Sequence, residues 1–390
     1  MNGPAPFGVY VHVPFCRHRC DYCAFATYTD RDHLMEAYAA ACVTEVRRAV
    51  EREGMPPASS VFVGGGTPSR LPPDLLVSVL DAVPVAPGVE VTVECNPEDV
   101  TADLLAGYRA AGVTRVSLGV QSTVGHVLEG LGRRHGPAQV TGAAALVAGA
   151  GFTSWNMDLI LGGAGERDED WERSLADLLG LPSPPPHVSA YALTVEPGTP
   201  LALDRDRHPD DDVQAGRYEA ADRVLSAAGY RWEEISNWAR PGHECRHNRL
   251  YWDQGDYRGI GSAAHSHLAG RRWWNVRTPD RYVALVAADD RSVVAGEEIL
   301  DPARRRFEAL ALALRTPSGV PTAALPHDPD LDCLVTRVDG RAVLTVQGRL
   351  LANAVTRYLV DPGRPDRSVD RSQDVGDPSP ATAVRPPLRA

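Results

Sequence analysis

The chain has 390 residues, 43% of them hydrophobic, and a formal net charge of −11. That length supports one large domain with an appendage, or two to three domains, and a core that needs no cysteine staples. The acidic balance argues against a general affinity for nucleic acid or for an anionic membrane surface.

The N-terminus shows no basic patch followed by an apolar run, so no export leader is expected. No stretch reaches the roughly 18 apolar residues of a membrane span. Seven cysteines is an odd number in a chain expected to be cytoplasmic, which favours ligands or catalysts over disulfides.

In chain order, "GVYVHV" (8–13) reads as a strand. Leu34, Tyr38, Ala41, Cys42, Val46, Ala49 and Val50 then share one helical face, with Asp32 as the expected cap. "SSVFVGGG" is a second strand, and "PPDLL" opens a second helix with proline in its first turn. The same alternation continues with "VEVTVEC" and a helix over 104–111, then "RVSLGV" and a helix over 140–148. "NMDLILG" precedes a helix over 171–179, and "HVSAYALT" precedes one over 213–228. Six strand-then-helix units predict an α/β fold with a parallel sheet and right-handed crossovers. Periodicity alone leaves an open doubly wound sheet and an incomplete barrel as alternatives.

The organisation expected from this reading is a strand–helix domain over 1–235 and an aromatic, His-rich connecting region over 236–300. A C-terminal α+β module over 301–360 follows, and then a polar, Pro-rich disordered tail over 361–390. In the module, two short strands flank "DG" as a hairpin and an amphipathic helix follows.

The densest chemistry lies in "HVPFCRHRCDYCAF", which places Cys16, Cys20 and Cys23 on the loop after strand one. Three thiolates this close can hold three corners of a metal site. Zinc completed by His12 or His18 is one reading, and an iron–sulfur cluster with an open iron is the other. The three-residue gap favours the cluster, because zinc ribbons and fingers more often pair two-residue gaps. Further polar residues stand at the ends of the following strands: Gly64, Gly65, Gly66 and Thr67, then Glu94 and Gln121, with Asp158 on strand five. Glycines there allow close backbone approach, and their N–H groups can hold a carboxylate or phosphate. Ligands of parallel sheets and barrels gather at the carboxyl ends of strands, so the convergence itself is the signal.

With these motifs the chain resembles the radical S-adenosylmethionine superfamily. Within it, "VYVHVPFC", "GGGTPS", "GVQS", "GRRH", "NMDLI" and "YALTVEPGTPL" resemble the coproporphyrinogen III dehydrogenase-like branch up to about Leu359. The resemblance implies a partial (β/α)6, TIM-like barrel and a small winged-helix-like C-terminal module. It implies a 4Fe-4S cluster on Cys16, Cys20 and Cys23, whose open iron takes the amino and carboxylate groups of S-adenosylmethionine. The cofactor is then reductively cleaved to a 5′-deoxyadenosyl radical. Gly65, Gly66 and Thr67 are implied at the cofactor's amino-acid end, with Tyr10, Tyr22, Glu94, Gln121, Arg133 and Asp158 around it. Read without the family, Tyr10 and Tyr22 are ordinary packing aromatics and Arg133 is a surface ion pair. One departure is Ala164, where the branch usually carries proline.

Two groups share this framework. The dehydrogenases carry a fourth cysteine two positions after the third, where this chain has Phe25, and that difference marks the HemW haem chaperones. "HNRLYW", containing His247, Asn248, Tyr251 and Trp252, is the second mark of the chaperone group. The resemblance therefore implies haem as cargo and haemoproteins as acceptors, with delivery at the inner face of the membrane. An imidazole can ligate haem iron, which makes His247 the expected ligand and Cys245 a further candidate. Read without the family, His247 is a hydrogen-bonded core histidine, and His265 and His267 are structural. Coproporphyrinogen III oxidation and a non-catalytic zinc protein stand as alternatives.

Overall fold

The computed structural model describes residues 5–289 and 292–360; the tail expected over 361–390 lies outside the described residues. The six expected units are all present. They run β1 (Phe7–Val13), α1 (Met35–Glu53), β2 (Ala58–Gly65), α2 (Pro73–Ala82), β3 (Val85–Cys95), α3 (Ala102–Ala110) and β4 (Arg115–Gln121). Then come α4 (Gly125–Gly130), α5 (Pro137–Gly149), β5 (Ser154–Leu161), α6 (Asp168–Leu179), β6 (His187–Ala192) and α7 (Asp211–Ala227). Helix starts follow local chemistry. Thr101 accepts from Leu104 N at 3.1 Å and Asp210 from Val213 N at 2.9 Å, while Pro73 and Pro137 open α2 and α5. Asp32 does not cap α1. It opens a short 3₁₀ turn ahead of the helix and pairs with Arg70 at 2.5 Å.

Strands β1 to β6 are parallel neighbours in sequence order, as a partial barrel requires. The stretch 236–300, expected as a connection, instead extends both edges of the same sheet. β7 (Arg231–Glu234) and β8 (Asn237–Ala239) add antiparallel strands beside β6. After α8 (Arg246–Trp252), β9 (Asp256–Ile260) pairs parallel with β1. β10 (His265–Leu268), β11 (Arg271–Asn275), α9 (Pro279–Ala287) and β12 (Val294–Ile299) follow, the strands forming an antiparallel wing. The result is one sheet of twelve strands in the order β12-β11-β10-β9-β1-β2-β3-β4-β5-β6-β8-β7.

Alternation along the strands sorts two faces. Val9, Val11, Val61, Val63, Val91, Val93, Val116, Leu118, Met157 and Val188 are buried in the apolar layer beneath the helices. The opposite, inner face is polar: Tyr10 and His12, Ser60, Glu90 and Thr92, Arg115 and Ser117, Asn156 and Asp158, His187 and Ser189. An inner lining of that kind is suited to holding ligands.

The described residues form two compact units: those up to Leu250 with Gly255–Ile299, and Tyr251–Gln254 with 300–360. The second contains α10 (Pro302–Ala313), β13 (Val320–Pro321), β14 (Val335–Val338), β15 (Arg341–Leu344), α11 (Val346–Leu350) and α12 (Ala352–Thr356). The expected hairpin is β14–β15, with Asp339 and Gly340 both at positive φ as its two-residue turn demands. The single helix expected after it is two short ones, α11 and α12, meeting at Leu351. All seven cysteines are unpaired, and among the described residues no helix is long and apolar enough to cross a membrane.

Candidate functional site

The cysteine loop is built on a short parallel bridge. Phe15 pairs with Tyr28, Cys16 N donates to Tyr28 O at 3.1 Å, and Tyr28 N donates to Pro14 O at 2.8 Å. Between them, Cys23 N turns back onto Cys20 O at 3.1 Å, and the Arg19 guanidinium holds Cys23 O at 3.0 and 3.2 Å. Asp21 fastens the loop to the far side of the barrel by accepting from Arg207 at 2.7 Å.

From below, His12 holds the loop. Its Nε2 faces Ala26 O at 3.0 Å and must donate, so Nδ1 accepts from Tyr10 OH at 3.1 Å. Burial pushes the imidazole down to about 4, which keeps that neutral tautomer in place. Tyr10 thus acts through His12 and stacks on Phe62, with centroids 6.4 Å apart.

A chain of hydrogen bonds ties two of the cysteines together. Thr67 Oγ1 donates to Cys16 Sγ at 3.4 Å, and Asn96 Nδ2 donates to Thr67 Oγ1 at 3.2 Å. Arg133 donates to Asn96 Oδ1 at 2.7 Å, to Gly119 O at 2.9 Å and to Cys20 Sγ at 3.4 Å. His135 is fixed beside it by Val120 O at 2.9 Å and Glu98 at 3.2 Å. Arg133 is thus part of the site and not a surface ion pair. Asn96 was not singled out from the sequence; its only signal there is a position two residues past Glu94, at the end of a strand.

The glycine run works differently from the sequence expectation. Gly66 N and Thr67 N donate to Val13 O and Phe15 O at 2.8 and 2.9 Å, so both are already used. A Cβ at Gly66 would come within 2.8 Å of those same carbonyls. Gly65 sits at φ +111°, and its N–H points to Glu94 Oε2 at 3.3 Å. The run therefore lets β2 press against the cysteine loop, and one carboxylate at the rim already has an N–H donor.

Gln121 ends β4 at φ +69°, where the β4–β5 register slips, which turns its side chain towards Gly119. Tyr22 packs on Val127, Leu131, Ile160, Leu193 and Leu201, and burial pushes its hydroxyl well up. Asp158 lies deeper in the barrel, accepting from Ser117 Oγ at 3.0 Å and from Asn156 Nδ2 at 2.9 Å. Cys16, Cys20, Cys23, Gly65, Gly66, Thr67, Glu94, Gln121, Arg133 and Tyr22 thus share the carboxyl rim. Tyr10 and Asp158 lie beneath it.

His247 is not brought to that rim. It shares a 2.9 Å hydrogen bond with Ser60 Oγ, stacks on Phe62 at 5.5 Å and touches Gly8, all within the lower strand layer. Glu90 receives the backbone N–H groups of Arg246 and His247 at 3.2 and 3.1 Å and the Cys245 thiol at 3.7 Å. The start of α8 therefore seals the amino end of the barrel, about 13 Å along the strands from the cysteine loop. With 1% of its surface exposed, the His247 ring is buried in this layer. Cys245, 2% exposed, is equally closed.

The rim fits an anionic iron–sulfur cluster with an adjoining cofactor. A hydroxyl and a guanidinium are aimed at Cys16 and Cys20, and the buried Nε of Arg133 and Nε2 of His18 have no partner among the described residues. Burial pushes the Cys16 thiol up to about 12 and raises Cys23, so a metal held by these thiols would be bound with release of protons.

The chain matches the Radical SAM superfamily over residues 10–178. A protein of Mycobacterium tuberculosis named Heme chaperone HemW is 44% identical over 373 residues, covering 91% of this chain and 95% of its own. The Heme chaperone HemW of Escherichia coli is 38% identical over 80% of this chain and 84% of its own. That of Bacillus subtilis is 32% identical over 89% and 97%. Among solved structures, the Escherichia coli coproporphyrinogen III oxidase HemN, a radical SAM enzyme, superposes with a TM-score of 0.77. It covers 91% of this chain and 90% of its own at 21% identity, a likeness of fold. A radical SAM barrel with three rim cysteines, matched over 80 to 91% of the chain by these relatives, places the chain in the HemW heme chaperone family.

Proposed function

We propose that this protein is a haem chaperone that holds a 4Fe-4S cluster and S-adenosylmethionine and hands haem to acceptor haemoproteins. The observation that carries the reading is identity of 44% sustained over 95% of a relative named a heme chaperone. In this reading Cys16, Cys20 and Cys23 hold three irons and the fourth is left for S-adenosylmethionine. When bound, the pair supplies one-electron chemistry at the rim. Thr67 and Arg133 orient the cluster through their bonds to Cys16 and Cys20, and Asn96 holds those two side chains in register. Gly65 and Gly66 keep the space beside it narrow, with Glu94, Gln121 and Tyr22 around the cofactor and Asp158 and Tyr10 supporting from beneath. Haem delivery is cytoplasmic, to acceptors that include haemoproteins at the inner face of the membrane.

The fold is common to HemN and so does not separate haem handling from coproporphyrinogen III oxidation. Phe25, standing where the dehydrogenase group has its fourth cysteine, supports the first. The test is anaerobic cluster reconstitution followed by separate titrations with haem and with coproporphyrinogen III. Stoichiometric haem uptake, transfer to an apo-haemoprotein and no protoporphyrinogen IX are expected. Protoporphyrinogen IX formed with S-adenosylmethionine consumption would overturn the reading.

A further inference from the structure

Strands β1 to β6 form an open arc. β1 lies between β9 and β2, and β6 between β5 and β8, so the first and sixth strands are five strand spacings apart. At about 4.8 Å per spacing, roughly 24 Å of sheet separates them. The loop after β1 carries the three cysteines, and the loop after β6 runs over 193–210 before α7 begins. These two loops meet at Asp21 and Tyr22, inside the span between Cys20 and Cys23.

Asp21 is held from three directions. Its carbonyl accepts from Leu201 N at 3.0 Å and its carboxylate from the Arg207 guanidinium at 2.7 Å, both on the β6–α7 loop. The third neighbour is Gly132, at φ +72°, where a Cβ would come within 2.9 Å of the Asp21 carboxylate and 3.1 Å of its backbone nitrogen. The same Arg207 nitrogen donates to Gly130 O at 2.8 Å. One guanidinium thus ties the β6–α7 loop to the cysteine loop and to the end of α4 together. Tyr22 adds apolar contact, packing on Leu193 and Leu201 of the same loop.

The β6–α7 loop is shaped internally for this contact. Thr199 Oγ1 donates to Glu196 O at 2.7 Å and accepts from Ala202 N at 3.2 Å, and His208 Nε2 donates to Leu201 O at 3.1 Å. Short 3₁₀ turns at Leu201–Leu203 and Arg205–Arg207 bring Leu201 and Arg207 to the one partner. The ion pair itself is half-open to water, with side chains 26% and 32% exposed for Arg207 and Asp21. A pair so placed is weak enough to open and is screened by salt.

We propose that the β6–α7 loop is a strap that closes the open side of the barrel over the cysteine loop, with Asp21 and Arg207 as its clasp. Closure then sets how fast solvent and oxygen reach a cluster held by Cys16, Cys20 and Cys23. This second step rests on the cluster reading given above, whereas the strap itself does not.

The test therefore has two arms. In the full-length protein before cluster reconstitution, Arg205 and Arg207 become trypsin sites once the strap lifts. Asp21→Asn removes the charge, keeps the shape and leaves both arginines in place. Cleavage at these sites is expected to quicken about threefold, the size of a partly exposed ion pair. In about 0.5 M salt the wild-type rate is expected to approach that of the variant. After reconstitution, the cluster absorbance under air should fade about threefold faster in Asp21→Asn and faster still in Arg207→Ala. Arg207→Lys should fall between wild type and Arg207→Ala, since lysine keeps the charge but not the fork. The double variant should fade no faster than Arg207→Ala alone. Equal cleavage in wild type and a folded Asp21→Asn would overturn the strap. Additive effects in the double variant would overturn the clasp, and equal fading in all variants would overturn its control of access. A wild-type protein that takes up no iron and sulfide would overturn the cluster reading, and the tryptic arm would still decide the strap.

Discussion

Arg133 places one terminal nitrogen 3.4 Å from the Cys20 sulfur and the other 2.7 Å from Asn96 Oδ1. One planar side chain thus bridges the cysteine loop and the end of β3, as only a fork of fixed geometry can. Arg133→Lys keeps the charge but cannot span both partners. We expect about a tenfold loss in cluster occupancy after reconstitution, measured as iron and acid-labile sulfide per chain, with the fold retained by circular dichroism. Full occupancy in the variant would show that the bridge is dispensable.

Gly65 stands at φ +111°, and a Cβ there would come 2.4 Å from His12 Nδ1. Gly65→Ala therefore strains the backbone and pushes on the ring that pins Ala26. A loss of about 2–3 kcal/mol in stability is expected from strain and the disturbed hydrogen bonds together. Chemical denaturation would measure it, and reduced cluster retention should accompany it.

His247 fills the amino end of the barrel against Gly8 and Phe62. His247→Ala leaves a cavity and an unpaired Ser60 hydroxyl, and about 2–4 kcal/mol of stability should be lost. Thermal unfolding checks this. Unchanged stability would mean that the ring does not serve as the plug.

Stability should fall on both the acid and the alkaline side, for opposite reasons. Burial lowers His12 to about 4 and His247 to about 3, so between these values and 6.5 the unfolded chain binds more protons than the folded one. Their contribution is complete above pH 6.5 and is lost as the pH falls, at about 1.4 kcal/mol per pH unit for each ring. Glu234 is raised to about 8, first by burial and then by the Glu233 charge, so its contribution is complete below 4.5 and is lost as pH rises through 8. Glu234→Gln should remove that fall between pH 4.5 and 8 from a Tm–pH profile, and so steepen the rise below 6.5 that the two histidines produce. An unaltered profile between pH 4.5 and 8 would refute the assignment.

The strand–helix alternation was legible because burial imposes it. Valine on every second position of β1, β2 and β3 reads directly as a face beneath helices, and the "DG" turn could take little but its type I′ form. The cysteine loop was legible too, since dense thiols need a common purpose. Asn96 was not legible, because nothing in "ECNPE" says that its amide reaches both Thr67 and Arg133.

The sequence by itself determined the repeating units, the cysteine spacing and the polar residues facing inwards, all of which follow from local periodicity and side-chain chemistry. Only the tertiary structure decided which end of the barrel each motif occupies. Periodicity tells a residue's face but not its depth, and depth depends on contacts between strands far apart in sequence. That is why the sequence does not show that "HNRLYW" stands at the amino end of the barrel, held by Ser60 and Glu90. It is also why His265, read in the sequence as structural, stands beside Trp274 on the strands that extend the sheet past β1.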